Sequence, residues 1–115
     1  DYLAVAYADE GVELRKAGIS LPIMVMNPEE YAFDVMIKHQ LEPEVFSFRA
    51  LSMLEKAIRR NALPQNKPVK IHIKLDTGMH RLGFVKEDLP ALLSRLMKNQ
   101  LIYVQSVFSH LVGSD

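Results

Sequence analysis

A regular alternation of short apolar runs with helix-like segments constrains the fold of this 115-residue chain more than any other feature. Strands that alternate with helices are joined by right-handed crossovers, which place the strands parallel to one another in a single sheet. The sequence therefore predicts an α/β fold with a parallel sheet. The predicted strands are residues 3–7, 22–26, 44–46, 69–76 and 101–109.

Local signals mark the ends of the first two predicted helices. Asp9 is predicted to cap the first helix, and Gly18 suits the left-handed conformation that commonly ends a helix. Asn27 is predicted to cap the second helix. Glu30 lies three residues later and would complete a capping box, so this helix should run to about Gln40.

The third and fourth helices are predicted from caps and apolar stripes. Ser47 is predicted to cap the third helix, which should end near Arg60, before a proline-containing loop at residues 63–68. Asp88 is predicted to open the fourth helix. One apolar face is expected on that helix, formed by Leu89, Leu92, Leu93, Leu96 and Met97.

Two architectures are compatible with five strands and four helices. The predicted strands start about every 25 residues, and eight such units would give about 200 residues, the lower range of a (β/α)8 barrel. The chain would then be a little over half of a barrel. The alternative is a complete five-stranded, doubly wound sheet of the flavodoxin type.

The fourth predicted strand favours the barrel, because it alternates in polarity. A parallel strand covered on both faces is apolar almost throughout, whereas a barrel strand carries polar inward residues near its carboxyl end. An edge strand of an open sheet would show the same alternation. The apolar side chains are Ile71, Ile73 and Leu75, and the polar ones are Lys70, His72, Lys74 and Asp76.

The loop after this strand, residues 77–84, is a candidate binding loop, because ligands of α/β folds bind at the carboxyl ends of strands. Arg81 in this loop has the forked donors that suit a carboxylate, a phosphate or a phenolate oxygen. If Arg81 lies near Lys74, an anion must separate the two cations or Lys74 must lose its charge. Asp76 is one candidate anion. The alternative is a surface Lys–Asp pair beside a solvated arginine.

Composition excludes several classes of function. The chain has 14 basic and 14 acidic residues and no cysteine, so there is no charge footprint for nucleic acid and no thiolate chemistry. The histidines lack metal-ligand spacing, and no metal is expected. No apolar run approaches the roughly 20 residues of a membrane span, and no signal peptide is expected. These features fit a cytoplasmic protein. His110 lies at the carboxyl end of the last predicted strand, and a lone histidine near an apolar run is more often a hydrogen-bonded structural residue than a catalyst.

The segment Lys74–Phe84, with the sequence KLDTGMHRLGF, resembles the central segment of the alanine racemases. These are pyridoxal-phosphate enzymes with an N-terminal (β/α)8 barrel. The resemblance implies that the whole chain corresponds to barrel strands two to six, with helices on the convex side. Asn27 and His80 stand where many members have glycine. The flanks resemble the family at residues 3–6, 13–15, 18–19, 22–26 and 109–110.

The resemblance implies roles for four residues. Arg81 matches an arginine that hydrogen-bonds the phenolic oxygen of the cofactor and helps to hold the substrate carboxylate. Lys74 matches a lysine that is carbamylated in many members, which would turn a cation into an anion able to orient Arg81. His110 matches a histidine beside the pyridine ring. Met26 matches an apolar residue that lines the cofactor pocket.

The resemblance also implies what this chain lacks. The family's cofactor-binding lysine lies on barrel strand one, and the opposing tyrosine base belongs to a C-terminal β domain of the partner subunit. We expect residues 1–115 to be an incomplete N-terminal barrel domain, inactive alone and not binding pyridoxal phosphate. The parent would be a homodimeric isomerase that makes D-alanine for peptidoglycan. The alternatives are a fragment of a serine racemase of the same fold and a complete, non-enzymatic α/β binding domain.

Overall fold

A five-stranded parallel sheet is the frame of the structure, a computed structural model that describes residues 2–61, 67–76 and 83–110. The strands lie in sequential order, as predicted for a partial barrel. A doubly wound sheet would reverse its strand order, so that alternative is wrong. The strands are β1 (Leu3–Val5), β2 (Ile23–Val25), β3 (Glu42–Val45), β4 (Val69–Asp76) and β5 (Ile102–His110).

Within the described residues, four α-helices connect the strands, and their apolar side chains form the core with one face of the sheet. Val25, Ile71 and Ile73 from the sheet are fully buried together with Leu51 and Leu54 from the third helix. In the described part of the chain, no helix is long and apolar enough to cross a membrane. The helices are α1 (Ala8–Lys16), α2 (Phe33–Lys38), α3 (Phe48–Asn61) and α4 (Leu89–Met97).

The predicted start of α1 is wrong by two residues, while its predicted end is confirmed. The helix begins at Ala8, so Asp9 lies inside its first turn and does not cap it. The carboxylate of Glu10 accepts hydrogen bonds from the backbone N–H groups of Ala6 and Tyr7, each at 2.9 Å. Gly18 has φ +92°, the left-handed conformation expected after the helix end.

The capping box predicted at Asn27 and Glu30 is also wrong. The chain forms a 3₁₀ turn at Glu30–Ala32, and α2 starts only at Phe33. Glu30 is unavailable for capping because its carboxylate accepts a hydrogen bond from Arg49 on α3 at 2.8 Å. The predicted cap of α3 is confirmed, since the Ser47 hydroxyl accepts a hydrogen bond from the backbone N–H of Ala50 at 3.0 Å.

The predicted apolar face of α4 is only partly buried. Leu92 is almost inaccessible, whereas Leu93 is 57% and Met97 85% exposed. Asp88 directly precedes the first residue of α4, which confirms the predicted start of the helix, and it also ends a second 3₁₀ turn, Lys86–Asp88. The predicted loop residues 63–66 lie outside the described part of the chain.

A shift of register in β5 decides which side chains share a face with β4. Ile71 pairs with Val104, but the next residue, His72, pairs with Ser106. The extra residue moves the following side chains of β5 to the other face. Ser106 and Phe108 therefore face the same way as His72 and Lys74.

Candidate functional site

The polar side chains of the sheet lie on the face opposite the helix-packed core. We call this surface the polar face. Side chains alternate along each strand, so residues paired in register share a face across neighbouring strands. Three strands contribute the polar groups, and β2 contributes methionine. The polar face comprises Tyr2, Met24, Glu42, Glu44, His72, Lys74, Ser106 and Phe108.

A buried hydrogen-bond network runs across this face. Glu42 Oε1 lies 2.9 Å from His72 Nε2 and accepts a second hydrogen bond, also 2.9 Å long, from the Tyr2 hydroxyl. His72 Nδ1 lies 2.6 Å from the Ser106 hydroxyl. Because a carboxylate can only accept, Nε2 of His72 carries a proton in this arrangement.

Tyr2 closes the exposed end of the network. Its ring packs edge-on against the imidazole of His72, with 5.5 Å between the ring centroids. Burial, the hydrogen bond to Glu42 and the charge of Glu42 raise the pKa of Tyr2 to about 12. The phenol is therefore a hydrogen-bond donor to Glu42 throughout the physiological pH range.

A cavity of about 280 Å³ lies beside the His72 ring. His72, Gln105 and Ser106 are the polar members of its lining, alongside aromatic and thioether side chains. The shape provides room for another side chain or a small molecule against the polar face. The lining residues are Tyr2, Met24, His72, Gln105, Ser106 and Phe108.

An ion pair lies closer to the carboxyl ends of the strands. Lys74 Nζ is 3.8 Å from Glu44 Oε1, and the side chains are 29% and 4% exposed, respectively. Burial raises the pKa of Glu44, while the positive charge of Lys74 opposes that rise. The cation at Lys74 is thus balanced by a carboxylate on the neighbouring strand.

Of the other predicted site residues, Met26 and His110 lie at the same end of the sheet, and Arg81 lies outside the described residues. Met26 directly follows β2 and is 42% exposed. His110 ends β5 in register with Asp76, but the side chains of Asp76, Ser109 and His110 are outside the described atoms. Arg81 and most of the predicted binding loop also lie outside the described residues, so the expected contact between Arg81 and Lys74 stays a prediction.

Sequence reasoning missed both carboxylates of β3. The strand was predicted at residues 44–46, but it begins at Glu42. The pattern Glu42-Pro43-Glu44 places two acidic residues at alternate strand positions, matching the alternation of His72 and Lys74 on β4. This shared alternation was the sequence signal that could have identified the two carboxylates as members of the site.

A larger cleft, about 400 Å³, lies between α3 and α4. Its most buried cation, Arg95, already donates hydrogen bonds to Glu55 at 2.6 Å and to Ser52 at 2.8 Å. Asn99 and Gln100 line the cleft just before β5, at the amino end of that strand. Ligands of α/β folds bind at the opposite ends, so the polar face is the better candidate site.

Comparison with known proteins shows where the chain belongs. The family model for the N-terminal domain of alanine racemase matches residues 1–115. The alanine racemases of Clostridium kluyveri and Sorangium cellulosum are 40% and 36% identical to this chain, each over 98% of it. A solved structure of the alanine racemase of Clostridium difficile 630 covers 100% of the chain at 31% identity, with a TM-score of 0.85.

The chain spans 28%, 30% and 31% of the length of these three relatives, in the same order. The structural likeness confirms the predicted partial barrel, since it extends over all five strands and their connecting helices. The sequence resemblance predicted from the segment around Lys74 is confirmed along the whole chain. This chain belongs to the family of alanine racemase N-terminal domains.

Proposed function

We propose that this chain is an incomplete barrel domain of a pyridoxal-phosphate-dependent racemase that interconverts L-alanine and D-alanine. The observation that carries the proposal is the family match over residues 1–115, in which the relatives are named alanine racemases. The Lys74–Glu44 pair on the polar face supports a binding site at the carboxyl ends of the strands. The D-alanine formed would serve peptidoglycan synthesis in the cytoplasm.

The described residues fit a flat, charged aromatic cofactor at this end of the sheet. Met26 offers an exposed apolar side chain after β2 for the flat ring, and Lys74 near the end of β4 offers a partly exposed side-chain nitrogen that can carry the carbamate. When bound, pyridoxal phosphate supplies an electron sink for negative charge at the substrate Cα. In the proposed site, Met26 and His110 hold the ring and Arg81 holds its phenolic oxygen and the substrate carboxylate.

Lys74 acts on the substrate through Arg81 in this proposal. A carbamate on Lys74 would carry a negative charge, and its two oxygens would accept hydrogen bonds from the guanidinium of Arg81. A guanidinium that is hydrogen-bonded on the side away from the ligand keeps its remaining N–H donors directed at the ligand. Lys74 is therefore a positioning residue in the proposed site.

Inversion at Cα requires a proton to leave one face and another to arrive at the opposite face, which takes two positioned bases. The segments that supply these bases in the family do not occur in residues 1–115. We propose that the remainder of a longer polypeptide supplies the cofactor-binding lysine and that a partner subunit in a homodimer supplies the tyrosine. The 115-residue chain alone is expected to be inactive and to bind no pyridoxal phosphate.

The proposal is tested with the full-length polypeptide that contains this chain, incubated with pyridoxal phosphate and either L-alanine or L-serine. We expect D-alanine to form faster than D-serine, as measured by chiral chromatography. The Arg81→Ala variant should lose most of the activity. Faster formation of D-serine would favour the serine racemase alternative, and no product from either substrate would contradict a racemase function.

A further inference from the structure

We propose that Glu44 controls the charge state of Lys74, so that carbamylation of Lys74 requires Glu44 to take up a proton. The inference rests on the proposed function, in which Lys74 carries a carbamate. It adds a residue to which neither the resemblance nor the relatives assign a role. It also makes the modification depend on a neighbouring carboxyl group.

Geometry brings the two groups together. Strand pairing aligns Glu44 with His72, and Lys74 is the next residue along β4 on the same face. The 3.8 Å between Nζ and Oε1 is the distance of an ion pair, longer than a direct hydrogen bond. Because Glu44 is almost completely buried, water does little to screen its charge from Lys74.

This pairing opposes carbamylation as long as both groups are charged. A nearby carboxylate stabilises the ammonium form of lysine, and an ammonium nitrogen has no lone pair with which to attack carbon dioxide. A carbamate formed beside an ionised Glu44 would place two anions next to each other. Both difficulties disappear when Glu44 becomes a neutral carboxylic acid.

Carbamylation of Lys74 proceeds through a proton transfer, the addition of carbon dioxide and the loss of a second proton. The ammonium of Lys74 passes one proton to the carboxylate of Glu44, which leaves a neutral amine and a neutral acid. The amine nitrogen then forms a bond to the carbon of carbon dioxide, and one C=O electron pair moves onto oxygen. Nitrogen releases its second proton to solvent. One proton stays on Glu44, where burial raises the pKa and favours its retention.

The polar face holds other titratable groups, and their protonation must be distinguished from that of Glu44. Glu42 on β3 and His72 on β4 are titratable, but they pair with each other at 2.9 Å. From β5, Phe108 lies in register with Lys74 and carries no charge. Asp76 and Arg81 follow on the same segment, and their side chains lie outside the described atoms. Substituting Glu44 alone keeps all of these groups constant.

Two spectroscopic signals on the full-length protein test the proposal. Carbon-13-labelled bicarbonate reports the carbamate by nuclear magnetic resonance, and infrared difference spectra report a protonated carboxyl group that appears when bicarbonate is added. The wild type should show both signals. Glu44→Gln should keep the carbamate and lose the carboxylic acid band, and Lys74→Ala should lose both.

Lys70→Ala is the matched control, because Lys70 is an exposed lysine on the same strand and should leave both signals unchanged. If Glu44→Gln fails to fold, glutamate labelled with carbon-13 at its side-chain carboxyl should shift the wild-type band. A carbamate without the acid band, or no carbamate at all in the wild type, would overturn the inference. Both signals in a protein that racemises neither amino acid would refute the proposed function alone.

Discussion

Glu42 and His72 form a 2.9 Å hydrogen bond across strands β3 and β4, and only 7% and 3% of their surfaces are exposed. A buried carboxylate is stable only when hydrogen-bonded partners replace the water it has lost. Tyr2 supplies the second partner of Glu42, and Ser106 holds the other ring nitrogen of His72. The network therefore joins the segment before β1 with β3, β4 and β5.

Removing the imidazole should destabilise the protein strongly. His72→Ala leaves the buried carboxylate of Glu42 with one hydrogen bond fewer, and a hydrogen bond to a charged group contributes about 1.5–3 kcal/mol. We expect a loss in the lower part of this range, because Tyr2 still donates to Glu42. Urea unfolding measures the change. Lys70→Ala, an exposed change on the same strand, should stay within about 0.5 kcal/mol of wild type, and an equal loss in both variants would contradict the role of the network.

The same network predicts a loss of stability at alkaline pH. The pKa of Tyr2 is raised from 10.0 to about 12 in the folded protein, so the unfolded chain ionises first. The contribution of Tyr2 is complete below pH 10 and disappears as the pH rises through about 12. Thermal unfolding measured across this range should show a steeper decline for wild type than for Tyr2→Phe. Parallel curves for the two proteins would refute the prediction.

The cap of α3 offers a local test of the fold. Ser47→Ala removes the side-chain acceptor for the backbone N–H of Ala50 and should cost about 1 kcal/mol in the free energy of unfolding. Ser47→Asp keeps an acceptor and should recover most of that loss. Chemical denaturation compares the two variants, and an Asp variant as unstable as the Ala variant would show that the hydrogen bond is unimportant.

Features governed by local sequence were predicted well. The alternation of polar and apolar residues predicted the observed bounds of β4, Val69–Asp76. Ser47 caps α3 as predicted. The capping box at Glu30 failed because a distant residue, Arg49, binds that carboxylate. Local patterns do not reveal such competition, because it depends on which helices pack together.

The ion pair on the polar face also could not be predicted from local patterns. Lys74 was identified from its position on β4, but its partner Glu44 was missed. The contact depends on the pairing of β3 with β4, across 30 residues of chain, and no local pattern specifies that register. Arg81 and the side chain of His110 lie outside the described atoms, so their proposed contacts stay predictions.

Exchange of the Cα hydrogen tests the central proposal most directly. The full-length polypeptide with pyridoxal phosphate should convert L-alanine in D₂O into D-alanine that carries deuterium at Cα, because one base removes the original proton and another delivers one derived from solvent. Mass spectrometry after chiral separation measures the label. We predict deuterated D-alanine from the full-length polypeptide and none from residues 1–115 alone. Absence of deuterated D-alanine from the full-length polypeptide would contradict the assignment as an alanine racemase.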